Sequence, residues 1–212
     1  MPRQVDHEGR REMIAEAVCA LVDEHGLEGV TLRDVAARAQ VSMGAVQRCF
    51  RTKEEMLLFA LGHIGERIGA RVRARLVSSP AQSAGTALSH AATEVALLRE
   101  EHRAEARIWL AFVAQAAVSP ALAGTLRTNY ADLEARFTRL IAEAAEGAEG
   151  AEGAEGAARL DPRREARALL ALADGLTVQR LIGHLSAQEA QDVLHAHLAA
   201  LWEGRSGLLA SG

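Results

Sequence analysis

"TLRDVAARAQVSMGAVQRCF", residues 31–50, holds two short helical patterns joined at Ala39-Gln40-Val41. The first opens on Thr31 with Asp34 three residues on, a capping-box-like start, and runs to about Ala39. Ser42 can cap the second, which is barely two turns long. That second helix carries Gly44, and glycine costs about 1 kcal/mol against alanine inside a helix. Such a short, half-polar helix suits the recognition element of a helix-turn-helix unit, whose N-terminal residues lie against base edges in the major groove of DNA. Val41, Val46 and Phe50 are expected to fasten it to a small core, with Ser42, Met43, Gly44, Gln47 and Arg48 outward. Gly44 lets backbone and groove approach closely. Gln47 suits adenine, Arg48 guanine or a phosphate, and Met43 a thymine methyl. Arg33, Arg51 and Lys53 sit at helix ends, where they would position the protein on phosphates. The competing reading is an ordinary short helix in a bundle.

The net charge of −4 on 212 residues argues, by itself, against a nucleic-acid partner. Its distribution argues otherwise. Residues 1–30 set Arg3, Arg10 and Arg11 against seven carboxylates, whereas residues 31–53 set Arg33, Arg38, Arg48, Arg51 and Lys53 against Asp34 alone. A local basic stretch on an acidic chain is the footprint of a nucleic-acid partner, or else an ordinary solvated face.

Hydrophobic residues make up 49% of the chain, enough for a sizeable core. The start, "MPRQVDHEGRR", is charged and without an apolar stretch, so no secretory signal is expected. No apolar run approaches a membrane span, and two cysteines, Cys19 and Cys49, fit a reducing compartment. A cytoplasmic protein with no membrane partner is expected. Lys53 is the single lysine, and the Arg- and Ala-rich composition hints at a GC-rich bacterial genome.

Strand signals are nearly absent, and helix signals recur throughout. Helices are expected over residues 8–25, 31–39, 42–50, 52–77, 81–99, 103–117, 120–145, 162–184 and 187–203, an all-α chain of nine. Gly26 sits where a left-handed C-cap belongs. Thr52 with Glu55 and Ser186 with Glu189 make capping boxes; Ser79-Pro80, Ser119-Pro120 and Asp161-Pro162 each place a cap before a first-turn proline. "EGAEGAEGAEG", residues 146–156, repeats every three residues, and as helix its four glycines would cost about 4 kcal/mol. A flexible linker over 146–158 is expected. The domains expected are a DNA-binding unit over 1–53 and a ligand-binding and dimerisation unit over 54–205.

"GLEGVTLRDVAARAQVSMGAVQRCFRTKEEMLLFAL", residues 26–61, resembles the DNA-binding domain of the TetR family of bacterial repressors. The order of signals matches: glycine after the first helix, threonine opening the second, "VS.GA" opening the third, then Phe50, and Lys53 opening the fourth. The resemblance implies a homodimeric, ligand-responsive, all-helical repressor acting on a duplex DNA operator. It places Met43, Gly44, Gln47 and Arg48 on base-reading positions, and Ala45 and Lys53 on backbone-contacting ones. Gln47 stands where the family usually has tyrosine, and Met43 replaces a common polar or basic residue; both departures bear on the operator sequence. "ARIWLAFVAQAAVSPAL", "LLALADGLTVQRLI" and "LHAHL" are similar to the C-terminal domain of the BetI-like branch, which does not fix the effector.

In the fourth helix Leu57, Leu61, Ile64, Ile68 and Val72 form the buried stripe expected; Gly62, Gly65 and Gly69 form another, read first as a place for close helix packing and second as room for a ligand. Trp109, Phe112, Gln115, Asn129, Tyr130, Phe137 and Thr177 are the candidates to line an effector pocket, although each is also a natural core residue. Tyr130 must satisfy its hydroxyl at a buried partner or in a cavity. With no clustered charge visible there, the unknown effector is expected to be small and largely apolar. Leu169, Leu172, Leu176, Leu194, Leu198, Leu201 and Trp202 would form a four-helix homodimer interface, or else close the monomer core.

Enzyme readings find little. His195 and His197 point to different sides of a helix. A helical di-iron site needs two Glu-x-x-His motifs, and the chain offers only a lone Asp192-x-x-His195. There is no zinc-type cysteine cluster and no G-x-S-x-G elbow. No cofactor, metal or catalytic residue is expected. A helical enzyme or interaction module of unrecognised type is the alternative. Cys19 and Cys49 are read as buried and inert rather than as a thiol switch.

Overall fold

The computed structural model describes residues 2–78, 83–149 and 160–203. Among them are nine α-helices and no strand: α1 Pro2–His25, α2 Leu32–Arg38, α3 Met43–Cys49, α4 Lys53–Ser78, α5 Ala84–Val95, α6 Arg103–Ala116, α7 Pro120–Glu149, α8 Pro162–Leu181 and α9 Ala187–Glu203. A 3₁₀ turn, Glu100–His102, leads into α6.

Local chemistry sets the helix ends. The Asp34 amide donates to the Thr31 hydroxyl at 3.2 Å, and the Ala45 amide to the Ser42 hydroxyl at 3.2 Å, so both residues of the opening motif are true N-caps. Between them Gln40 adopts φ +55° while its amide and that of Val41 reach back to the carbonyls of Ala37 and Ala36. This is a Schellman closure with glutamine at the position that favours glycine. Gly183 (φ +77°) closes α8 the same way, and Gly26 (φ +71°) ends α1 as expected. Asp161 caps α8 through the amides of Arg163 and Arg164, ahead of Pro162; Ser186 and Glu189 cap α9 reciprocally.

Several boundaries differ from the expected ones. α1 begins at Pro2 rather than residue 8. α5 begins after Ser83, whose hydroxyl accepts from the Thr86 amide, and ends at Val95 because Leu97 turns to φ +51°. The Ser79-Pro80 cap lies outside the described residues. α7 continues to Glu149, past the expected end at 145 and into the first glycine of the repeat; the rest of the expected linker, 150–158, lies outside the described residues.

The chain forms two compact units. The first comprises residues up to Gly69 together with Ala104–Asn129; the second comprises Ala70–Arg103 and the chain from Tyr130 onward. In the first, α1, α2 and α3 pack on one another, burying Ile14, Val18, Val35, Val46 and Phe50, and α4 buries Leu57, Leu61 and Ile64. In the second, α5, α8 and α9 pack together around Leu88, Phe137, Ile141, Leu169, Leu194 and Leu198.

That second core takes up five of the seven expected dimer residues. Leu169, Leu176, Leu194, Leu198 and Leu201 are all buried within one chain, and Leu172 and Trp202 pack against them half-buried. Leu88, Phe137 and Ile141 share that cluster, so the five buried leucines are taken up by the core of one chain, whereas Leu172 and Trp202 remain partly exposed. The close packing expected at the α4 glycines is also not found at two of them. A methyl group added at Gly62 or Gly65 would meet nothing within 4 Å.

Candidate nucleic-acid interface

α3 divides its seven residues cleanly. Ala45, Val46 and Cys49 are buried, while Met43 (48% exposed), Gln47 and Arg48 face solvent on the opposite side. Gly44 lies between them, and a methyl there would make ordinary contact with the Arg48 guanidinium at 3.7 Å. Ala45 departs from the expected DNA contact. Its methyl sits on the core-facing side with Val46, and its amide is engaged by the Ser42 cap.

The surrounding cations differ in their freedom. Arg33, Arg48, Arg51 and Lys53 are exposed and make no ion pair with a described residue. Arg38 does not belong with them. Both its terminal nitrogens are bonded to the Glu24 carboxylate, Nη1 at 2.8 Å. The hydrogen bond from Arg38 holds the Glu24 carboxyl below the usual carboxylate range, and the same bond raises Arg38. The positive charge expected over residues 31–53 is thus reduced by one, and what remains brackets α3. At the start of α4 the Glu55 amide donates to the Thr52 hydroxyl at 3.0 Å, and the Glu55 carboxylate accepts from the Arg51 amide at 2.9 Å. This fixes Lys53 on the first turn of α4.

Two ion pairs tie α6 into the same unit. Arg107 grips Asp23 of α1 with both Nε (2.5 Å) and Nη2 (3.0 Å), and Arg67 of α4 lies 3.5 Å from the Glu105 carboxylate, which is 7% exposed. Cys19 and Cys49 are buried. Burial pushes the Cys19 thiol up to about 12, against the opposing pull of Arg67, which matches the inert reading of this cysteine.

The expected effector residues fall apart into three groups. Phe112 and Phe137 are fully enclosed core. In the second unit Thr177 is buried with its hydroxyl 2.8 Å from the carbonyls of Ala96 and Ala173, and the Tyr130 hydroxyl donates to Asp174 at 2.6 Å. Tyr130 has therefore met a polar partner, and desolvation together with that carboxylate raises its hydroxyl above the ordinary value. Trp109, Gln115 and Asn129, all in the first unit, remain half-buried.

The second unit holds a charge cluster that sequence reasoning missed. Glu94, 3% exposed, has Arg99 at 3.2 Å, Arg71 at 3.4 Å and His102 at 3.8 Å; nearby Arg180, 3% exposed, bonds the Arg99 carbonyl and Glu100. The one signal available was a single carboxylate inside the otherwise uncharged run "ALSHAATEVALL" at 87–98. Buried charges need partners, so a carboxylate there predicts arginines from elsewhere in the chain. No group of three or more His, Cys, Asp or Glu able to hold a metal occurs among the described residues, and no helix among them is long and apolar enough to cross a membrane.

Comparison with known proteins agrees with this geometry. The model for bacterial regulatory proteins of the tetR family matches residues 14–59, which includes α2, α3 and their caps. The model for the C-terminal region of BetI-type transcriptional repressors matches residues 84–203, more than half of the chain. The chain is 36% identical over 118 residues to the HTH-type transcriptional regulator PksA of Bacillus subtilis, a match spanning 55% of this chain and 56% of PksA. It is 26% identical over 192 residues to the HTH-type transcriptional regulator BetI of Serratia proteamaculans, covering 87% of each. The crystal structure of a transcriptional regulator from Rhodococcus sp. Rha1 superposes with a TM-score of 0.76 at 28% identity, covering 92% of this chain and 96% of that one. The chain belongs to the TetR family of bacterial transcriptional regulators, with a BetI-type C-terminal region.

Proposed function

We propose that this chain is a homodimeric repressor that binds a near-palindromic DNA operator and leaves it when a small effector binds. The carrying observation is α3: capped by Ser42, held on α1 and α2, and presenting Met43, Gln47 and Arg48 beside three further exposed cations, Arg33, Arg51 and Lys53. Met43, Gln47 and Arg48 read base edges; Arg33, Arg51 and Lys53 meet phosphates. Residues 1–53 act as the DNA-binding domain and 54–205 as the effector and dimerisation domain, in the bacterial cytoplasm, with no catalytic step. Selection from a randomised duplex pool tests this. The expected result is enrichment of inverted half-sites whose centres lie about one helical turn, roughly 34–36 Å, apart.

The dimer contact lies on the faces of α8 and α9 that the monomer core leaves open. Ala168, Ala171 and Gly175 recur at helical spacing on α8, with Ile182 at its C-cap, and Val193, Ala196 and Ala200 on α9; Ile182 is 72% and Val193 43% exposed. Small residues with two larger apolar ones let two such pairs approach closely as a four-helix interface. A methyl at Gly175 would meet nothing within 4 Å in the single chain, which leaves that position open to a partner.

The effector site belongs to the first unit, beside Trp109 and Gln115 on α6 and Asn129 on α7. Phe112 lies behind these as core, whereas Tyr130, Phe137 and Thr177 serve the second unit. A small, largely apolar molecule with one or two polar groups suits one large aromatic and two amides. Displacement of α6 there reaches the DNA-binding helices through Arg107–Asp23. A coupling of about 1–3 kcal/mol, roughly 5–150-fold in operator affinity, is typical of such regulation. Thermal-shift screening of lipophilic and charged metabolites, with hits retested for operator release, distinguishes the expected class from an ionic one.

A further inference from the structure

Arg11 of α1 lies against two aromatic rings. Its guanidinium carbon is 4.7 Å from the centroid of Phe50 and 4.4 Å from that of Phe59. The two rings are 5.4 Å apart and tilted by 54°. Phe50 is 1% exposed and is the C-cap of α3; Phe59 is on α4. One side chain thus joins three helices. Its Nε is buried with no hydrogen-bond partner, and it forms no ion pair with a described residue, so ring faces rather than a carboxylate hold its charge.

We infer that Arg11 is a positioning residue for operator recognition, fixing the axis of α3 against α1 and α4 through Phe50 and Phe59. The inference rests on the DNA-binding reading above. α3 has seven residues and too few internal hydrogen bonds to hold an orientation alone. Its direction comes from its buried side, Ala45, Val46 and Cys49 against α1 and α2, and from its two ends. Ser42 fixes the first turn only locally, whereas Phe50 is the end anchored in the core. A planar guanidinium against two ring faces has a defined tilt, and the attraction strengthens as water is excluded. An apolar chain of equal length fills the same space without fixing that tilt. Loss of the stack therefore lets Met43, Gln47 and Arg48 wander relative to the base edges while every phosphate-contacting cation stays in place.

The test uses the full-length protein, the site selected by the wild type, and a scrambled duplex of equal length. Arg11→Met, Arg11→Lys, Phe59→Leu and the Arg11→Met/Phe59→Leu double variant are titrated against both duplexes at several salt concentrations, well below each Tm. Arg11→Met is expected to lower the ratio of operator to scrambled affinity about three- to tenfold. Scrambled-duplex affinity and its salt slope should stay at wild-type values, and the double variant should be no worse than the poorer single one. Arg11→Lys keeps the charge and should lose a large part of the same ratio; it carries the test if Arg11→Met does not fold. An unchanged ratio overturns the inference, as do additive losses in the double variant. Equal loss on both duplexes with a salt slope shallower by about one also overturns it, because Arg11 is then a phosphate contact. If the wild type selects no sequence, the DNA-binding reading fails; if it selects one and Arg11→Met selects it equally well, only this inference fails.

Discussion

At the scale of single residues, similar side chains on one short stretch have different work. Arg48 is exposed on α3 with no ion pair to a described residue, while Arg38, ten residues earlier, is bound to Glu24. Gln47→Ala and Arg48→Ala should each weaken the selected operator by about 1–3 kcal/mol and relax preference at one base pair. Lys53→Ala should weaken all duplexes alike and make the salt slope shallower by about one, whereas Arg38→Ala should alter stability more than the slope. Glu24 gives a pH test. Its carboxyl titrates below the ordinary value of 4.5 in the folded chain, so the Arg38 bond contributes stability above that pH and loses it as pH falls through the lowered value. Glu24→Gln should flatten the acid limb of the stability profile near and below pH 4.5, measured by urea unfolding. Gln40→Gly, relieving a left-handed backbone, should raise stability by about 0.5–1 kcal/mol. The exposed side of α3 was legible because a helix this short has one buried side, set by Val46 and Phe50. The pairing of Arg38 was not, since Glu24 is fourteen positions away and only the folded turn brings them together.

Capped helix starts were the most legible features of the elements, and partners of helices the least. Thr31, Ser42, Asp161 and Ser186 cap where their sequence spacing says, because a cap is satisfied within three or four residues. An apolar stripe says only that it will be buried. Leu169, Leu194 and Leu198 have the spacing of a four-helix interface, yet their partners are Leu88, Phe137 and Ile141 of the same chain. The same indeterminacy hid the roles of Tyr130 and Thr177, whose partners Asp174 and Ala96 come from distant or helical backbone positions. The links of α6 to α1 and α4 give a prediction at this scale. Arg107→Ala should leave operator affinity nearly unchanged but reduce the release caused by effector, and Asp23→Arg with Arg107→Asp should restore part of it. Operator titrations with and without effector read both. An undiminished response in Arg107→Ala places the signal on another route.

At the scale of the whole molecule, the buried leucines of α8 and α9 change which substitution separates dimer from fold. Leu198→Arg would place a charge in an enclosed core (6% exposed) and should unfold the second unit. Val193→Arg, at an exposed position, and Gly175→Arg, where an added methyl meets nothing within 4 Å, should give helical monomers by sedimentation, with operator affinity lost because one half-site no longer reinforces the other. The all-helical architecture was legible from punctuation and period alone, and the TetR resemblance from residues 26–61. The charge cluster around Glu94 was not legible as a cluster, since its members lie on separate segments from Arg71 to Arg180. Selection of bound duplexes from a randomised pool by purified full-length protein, followed by sedimentation of the complex, tests directly whether the chain binds an operator as a dimer. A single inverted-repeat site is expected, bound by paired protomers, with preference at the inner positions abolished in Gln47→Ala and Arg48→Ala. A pool that remains random after repeated rounds, or enrichment that both variants reproduce unchanged, contradicts it.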